Sequence, residues 1–187
     1  MEETLKDCAS FPIQDRFKPM SLSQVKEEQK KRQLPFAVAA WNLDGSLNVG
    51  ALIRTAVTFG ANKFFIFGLK KYDSRSTVGS HNYIDLERVA VNVDEGNFGL
   101  VYQALGCYNV SCVELGGKDL DDHNFKDDVT EDKIPCIMLG EEQKGIPQEL
   151  LSKYNVLSIP MQGILRSMNV SAAGAIAMNK IRKDLSN

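Results

Sequence analysis

Residues 36–67 read Phe36-Ala-Val-Ala-Ala-Trp41-Asn-Leu-Asp-Gly-Ser-Leu-Asn48-Val-Gly50-Ala-Leu-Ile-Arg54-Thr-Ala-Val-Thr-Phe-Gly60-Ala-Asn-Lys-Phe64-Phe-Ile-Phe67. The runs Phe36–Trp41 and Phe64–Phe67 are short and apolar throughout, as strands buried on both faces are. Between them, Val49, Leu52, Ile53, Ala56 and Val57 fall at helical spacing, and Gly60 supplies a stop. Working outward, the same grammar predicts strands at Arg88–Val91, Val110–Val113, Pro135–Leu139 and Val156–Ile159. It predicts helices over Phe98–Leu105, after Pro147, and over Val170–Leu185. Strands that alternate with helices and lack a polar face define an α/β domain: a mostly parallel sheet with helices on both faces. The stretch Gly116–Lys133 reads as an acidic loop.

Ahead of this unit, residues 1–35 form an arm. Residues 1–19, with Pro12 and Pro19, show no periodicity. Ser21-Leu-Ser-Gln24 is a capping-box pattern with Met20 and Val25 set for a hydrophobic staple, so a charged helix runs from there to Gln33, before Pro35. Its Lys30-Lys31-Arg32 end suits the helix dipole, or serves as an arm that contacts RNA.

The 187 residues are 43% hydrophobic, 25% charged and 8% aromatic, the balance of one globular domain. No apolar run reaches the ~18 residues of a membrane span, and no signal peptide is expected. Four cysteines without a Cys-x-x-Cys pair, and two histidines, make a metal site improbable and predict reduced thiols in a cytosolic or nuclear protein, with a cytoplasmic one expected. Net charge is −2, but residues 93–135 hold 10 acidic against 3 basic side chains, so the remainder of the chain sums to +5. A basic surface for phosphates is compatible with the acidic total.

The common catalytic patterns are absent. No Gly-x-Gly-x-x-Gly follows the first strand. Gly140 and Gly145 have P-loop spacing, but Ile146-Pro147 stands where Lys-Ser/Thr is required. There is no Gly-x-Ser-x-Gly elbow. Parallel sheets bind ligands beyond the carboxyl ends of their strands, and three polar clusters sit there. The first is Asn48-Val-Gly50-Ala-Leu-Ile-Arg54. Asn48 can cap the following helix, Gly50 admits a close neighbour, and Arg54 opposes the helix dipole unless an anion holds it. The second, Leu139-Gly140-Glu141-Glu142-Gln143-Lys144-Gly145, is a glycine-bracketed acidic turn in which Glu142 can orient a ligand or side chain. The third is Ile159-Pro-Met161-Gln-Gly-Ile-Leu-Arg-Ser167-Met168-Asn169-Val-Ser171. Three small polar residues there precede a helix opening Ser-Ala-Ala-Gly-Ala-Ile-Ala, which must pack unusually close to its own chain or to a partner subunit.

In order and spacing, these clusters resemble the Asn-x-Gly-x-x-x-Arg, Leu-Gly-x-Glu-x-x-Gly and Ser-x-Asn motifs of the SpoU (TrmH-like) branch of the SPOUT methyltransferases, with Met168 where leucine is commoner. The resemblance covers residues 36–183 and makes 36–187 a SpoU-like methyltransferase domain. It implies a C-terminal deep trefoil knot, a homodimer, and transfer of a methyl group from S-adenosylmethionine to an RNA ribose 2′-hydroxyl, with no metal. Carried over, Arg54 is the catalytic arginine, supported by Asn48, Glu142, Ser167 and Asn169. Leu139, Gly140, Gly145, Ile159, Met161 and Met168 bind the cofactor, largely through backbone groups. Many relatives carry a separate N-terminal RNA-binding domain, whereas only about 35 residues precede the first strand here. Minimal relatives act on tRNA, so tRNA is favoured over rRNA. The competing reading is a non-catalytic RNA-binding or assembly module that keeps the fold.

Overall fold

A computed structural model describes residues 13–92 and 96–186. The readings that fall on residues 1–12, Cys8 and Pro12 among them, lie outside the described residues. Six strands form one sheet: β1 (Leu34–Trp41), β2 (Ala61–Phe67), β3 (Asp85–Val89), β4 (Tyr108–Asp119), β5 (Ile134–Leu139) and β6 (Asn155–Ser158). Their order is β3-β2-β1-β5-β4-β6, and every pairing is parallel. The helices are α1 (Leu22–Lys30), α2 (Ser46–Phe59), α3 (Gly99–Ala104), α4 (Gln148–Lys153) and α5 (Val170–Ser186).

The apolar strands are explained by two cores. On β1, Phe36, Val38 and Ala40 face the layer of α2 and α5, meeting Leu52, Ile53, Met178 and Ile181. Ala37, Ala39 and Trp41 face the layer of α3 and α4, meeting Val101, Leu105 and Leu150. The central strands β1, β2 and β5 therefore bury most of both faces, and their sequences show no apolar–polar alternation.

Several boundaries differ from the sequence reading. The segment read as the start of an acidic loop is strand: β4 continues through Gly116 to Asp119. Its pairing with β6 shifts register between Val113 and Lys118, and beyond the bulge the polar residues have one paired neighbour and open exposure. The rest of the acidic segment docks on α5. Lys180 Nζ donates to the His123 carbonyl at 2.6 Å, and the Phe125 N–H donates to Asp184 Oδ2 at 3.1 Å. The connection from β2 to β3 contains two short 3-10 helices, Ser74–Thr77 and Ser80–Tyr83, in place of an α-helix. Strand β3 begins at Asp85, earlier than Arg88, and α1 ends at Lys30, before Gln33.

From Ile13 onward, the arm folds against the domain. Ser21 and Gln24 form the capping box, each side chain bonded to the other's backbone N–H. Val25 and Tyr83 then anchor a small cluster with Ile13, Phe17, Met20 and Val57. This seats α1 and the preceding turn on the flank of α2.

The small residues of α5 have a local cause. A Cβ on Gly174 would run into Leu52 Cδ2 and stand 2.9 Å from Leu139 Cδ1, so this helix packs on its own chain. Gly50 serves in the same way: its close neighbour is the backbone and hydroxyl of Ser76.

Candidate active site

The chain leaves β1 toward β2 on one side, while β5 takes the opposite side. The carboxyl ends of β1 and β5 thus flank the point where strand order reverses, the usual ligand crevice of an open parallel sheet. A cleft of about 800 Å³ opens there, along the ends of β4, β5 and β6. Its walls hold Leu139, Gly140, Glu142, Gly145, Ile159, Met161, Ser167, Met168 and Asn169, so eleven predicted positions less Asn48 and Arg54 line one space.

Side-chain hydrogen bonds join the three clusters. Asn48 Nδ2 donates to Glu142 Oε1 at 2.7 Å, and Asn169 Nδ2 donates to Asn48 Oδ1 at 3.0 Å. Asn169 Oδ1 accepts the backbone N–H of Ser171 at 2.9 Å, its hydroxyl at 2.6 Å, and the Ala172 N–H at 3.4 Å. The polarity is forced. An ionised carboxylate only accepts, so Asn48 must turn its amide nitrogen to Glu142 and leave its oxygen for Asn169. Among the three small polar candidates, Asn169 is the cap of α5. Asn48 is not the cap of α2. That helix begins at Ser46 behind Gly45, with no side-chain cap bond, and Asn48 is in its first turn.

A second network lies beside the first, on residues the motif reading passed over. Asn42, with φ of 48°, donates from Nδ2 to Glu141 Oε2 at 2.8 Å. Lys70 Nζ donates to the Asn42 carbonyl at 3.0 Å and pairs with Asp44 Oδ1 at 2.7 Å and Glu141 Oε1 at 3.5 Å. Burial works against the Lys70 ammonium, but the bond to Asp44 and the two carboxylate charges prevail and raise its pKa. The available signal was position: Asn42 directly follows β1 and Glu141 closely follows β5. Across the cleft, Glu114 Oε2 accepts the Ile146 N–H at 3.2 Å. Gly145 turns beneath it at φ of 67°, and a Cβ there would stand 2.5 Å from the same oxygen.

Arg54 stands apart. Six residues beyond Asn48, it is about 9 Å along the helix axis and about 120° around it. It does not line the cleft. It lines a second cavity, with α1, Arg16 and Arg182.

The cleft suits a molecule with one cationic and one apolar, planar part. Glu114, Glu141 and Glu142 supply carboxylates; Leu139, Ile159, Met161, Met168 and Ala173 supply apolar wall; the Glu141–Gly145 turn presents backbone groups. S-adenosylmethionine, a sulfonium bearing an adenine, fits this donor set. Among the described residues, no cluster of His, Cys, Asp and Glu is disposed to hold a metal ion, and no helix is long and apolar enough to cross a membrane.

Fold and cleft together define a ligand-binding α/β domain of the switch-point kind. The SpoU rRNA Methylase family profile matches residues 35–179, and the chain belongs to that family. A mouse tRNA (guanosine(18)-2'-O)-methyltransferase is 31% identical over 146 residues, 74% of this chain but 9% of the relative. The enzyme of the same name from Aquifex aeolicus is 26% identical over 167 residues, 87% of this chain and 75% of the relative. An AdoMet-bound rRNA methyltransferase from Sinorhizobium meliloti superposes with a TM-score of 0.67 at 27% identity, covering 82% of this chain and 58% of that one. The chain thus spans only part of its relatives' length.

Proposed function

We propose that this protein methylates a ribose 2′-hydroxyl of RNA, with tRNA as substrate and S-adenosylmethionine as donor. The observation that carries the proposal is the Glu142–Asn48–Asn169 chain, which ties three motifs distant in sequence to the rim of one cleft. The names of the mouse and Aquifex relatives favour tRNA.

Leu139, Gly140, Gly145, Ile159, Met161 and Met168 hold the cofactor, largely by backbone groups and apolar contact. Bound there, it supplies an electrophilic methyl group on sulfur, so the protein's task is alignment more than activation. Glu142 fixes Asn48, and Asn48 fixes Asn169, which keeps the entry to α5 rigid. Ser167, exposed in the cleft wall, is placed to meet the incoming ribose. Arg54 is a permanent cation; its role is to position the RNA and offset charge developing at the 2′-oxygen.

A homodimer and a knotted C-terminal segment complete this reading. Leu47 is 80% exposed, Leu165 74% and Ile176 42%, apolar side chains that a second copy would cover. Arg54 shares the exposed stripe of α2 with Leu47, so pairing through that stripe carries it toward the second copy's cleft. The arm of residues 1–35 and the domain of residues 36–187 act as one unit, in the cytoplasm where tRNA is modified.

The test is transfer of labelled methyl groups from S-adenosylmethionine to bulk tRNA and, separately, to rRNA, with Arg54→Ala as control. Ribose label in tRNA that is lost in Arg54→Ala is the expected result. Neither transfer nor cofactor binding would leave the non-catalytic module.

A further inference from the structure

Beneath the arm lies a second cavity of about 420 Å³, separate from the cleft. Its lining brings four arginines from four elements: Arg16 from the turn before α1, Arg32 from just after it, Arg54 from α2 and Arg182 from α5. Glu28 is the sole carboxylate among the described lining residues. It is already engaged, bonded to Arg32 at 2.6 Å and to Lys31 at 2.7 Å. Among the described residues, Arg182 donates to the Asn179 amide oxygen at 3.3 Å, and neither Arg16 nor Arg54 forms an ion pair. Three arginines of one lining therefore have no carboxylate partner among the described residues.

Like charges gathered in a concavity cost free energy unless an anion joins them. The apolar part of the lining narrows the kind of anion. The Arg16 guanidinium carbon is 4.7 Å from the Phe17 ring centroid and that of Arg32 is 5.2 Å from it; Tyr83 and Phe59 complete the wall. Guanidinium forks with aromatic faces suit phosphate oxygens beside a stackable base.

We propose that this cavity binds the phosphodiester backbone of the substrate RNA, close to the nucleotide that is methylated. The inference rests on the methyltransferase reading in one respect: Arg54, which that reading gives to the reaction, also lines the cavity, so the anion there is continuous with the substrate. Arg16, Arg32 and Arg182 are binding residues of the RNA track, and the arm supplies through them what larger relatives obtain from a separate domain.

The experiment titrates labelled tRNA with the full chain at several salt concentrations, and measures S-adenosylmethionine binding by calorimetry and mass by sedimentation. The variants are Arg16→Ala/Arg182→Ala and Arg16→Lys/Arg182→Lys. The alanine pair should weaken tRNA binding at least tenfold and flatten the slope of log Kd against log salt by about 1.5, as expected for two lost phosphate contacts. Cofactor affinity should hold, and the lysine pair should regain part of the RNA affinity. An unchanged RNA affinity and slope, or no RNA binding by the wild type, overturns the proposal. So does a loss of affinity that tracks dissociation into smaller species, which would make the cavity a seam between copies. A wild-type chain that binds tRNA but methylates no RNA, with binding weakened in the alanine pair, would sink the enzyme reading and leave the cavity assignment standing.

Discussion

Asn48 Nδ2 lies 2.7 Å from Glu142 Oε1, although 94 residues separate the two in sequence. Neither residue is deeply buried, so this bond is a weak source of stability, on the order of 1 kcal/mol. Its consequence is directional. With its nitrogen claimed by Glu142, Asn48 presents only oxygen to Asn169.

Asn48→Asp tests that direction. The substitution keeps shape but sets a second carboxylate against Glu142 and removes the donor. It should slow single-turnover methyl transfer roughly 100-fold, the scale of a misplaced reactive geometry, and more than Asn48→Ala does. Wild-type rates in Asn48→Asp would show that the chain of amides is ornamental.

Gly174 brings α5 close against α2 and the sheet: a Cβ there would meet Leu52 and Leu139. Both leucines are fully buried, so neither has room to retreat. Gly174→Ala recovers about 1 kcal/mol of helix propensity but drives its Cβ into Leu52, an overpacking that costs about 1–3 kcal/mol, so it should be destabilised by about 1 kcal/mol in urea unfolding. Gly174→Val adds branching that the core cannot take and should cost about 2 kcal/mol or more. Because Leu139 also lines the cleft, the valine variant should bind S-adenosylmethionine more weakly. A Gly174→Val protein as stable as wild type would contradict the packing.

The thiols should separate by exposure. Burial pushes Cys112 up to about 12, with the Glu114 charge adding to it, and burial raises Cys136 further. Both thiols stay protonated at pH 8, while Cys107 is exposed. Since thiolate is the nucleophile, a Cys8→Ser chain should react with one equivalent of a thiol reagent quickly and with two more only on unfolding. Three fast equivalents would mean that the sheet opens readily.

The strands were legible because burial on both faces writes unbroken apolar runs, as in Phe64–Phe67, and the three polar clusters were legible because each follows a strand. Other features depend on the partner more than on the residue. The end of β4, Glu114-Leu-Gly-Gly-Lys-Asp119, is polar because little covers it, so it resembled loop. Asn48 looked like a cap, since the same amide suits either role; only the start of α2 at Ser46 decides. The motif names Arg54 as the catalytic arginine but carries no sign that helix geometry sets it outside its own chain's cleft. The strand order that sets Glu141 beside Asn42 leaves no trace in either strand.

The acidic segment supplies the last prediction. Asp121, Asp122, Glu131 and Asp132 are exposed, on a segment that packs against α5 through Lys180 and Asp184. Charges farther than about 10 Å from bound RNA are screened at physiological salt. Converting these four residues to their amides removes four negative charges without touching the His123–Asp128 pair. If the segment faces away from the RNA, tRNA affinity and methyl-transfer rate should each change less than about threefold at physiological salt. A tenfold gain in affinity would place the segment along the RNA track as a repulsive guide. A large loss of methylation would mean that these carboxylates take part in the reaction or its folding, and would sink the outward placement.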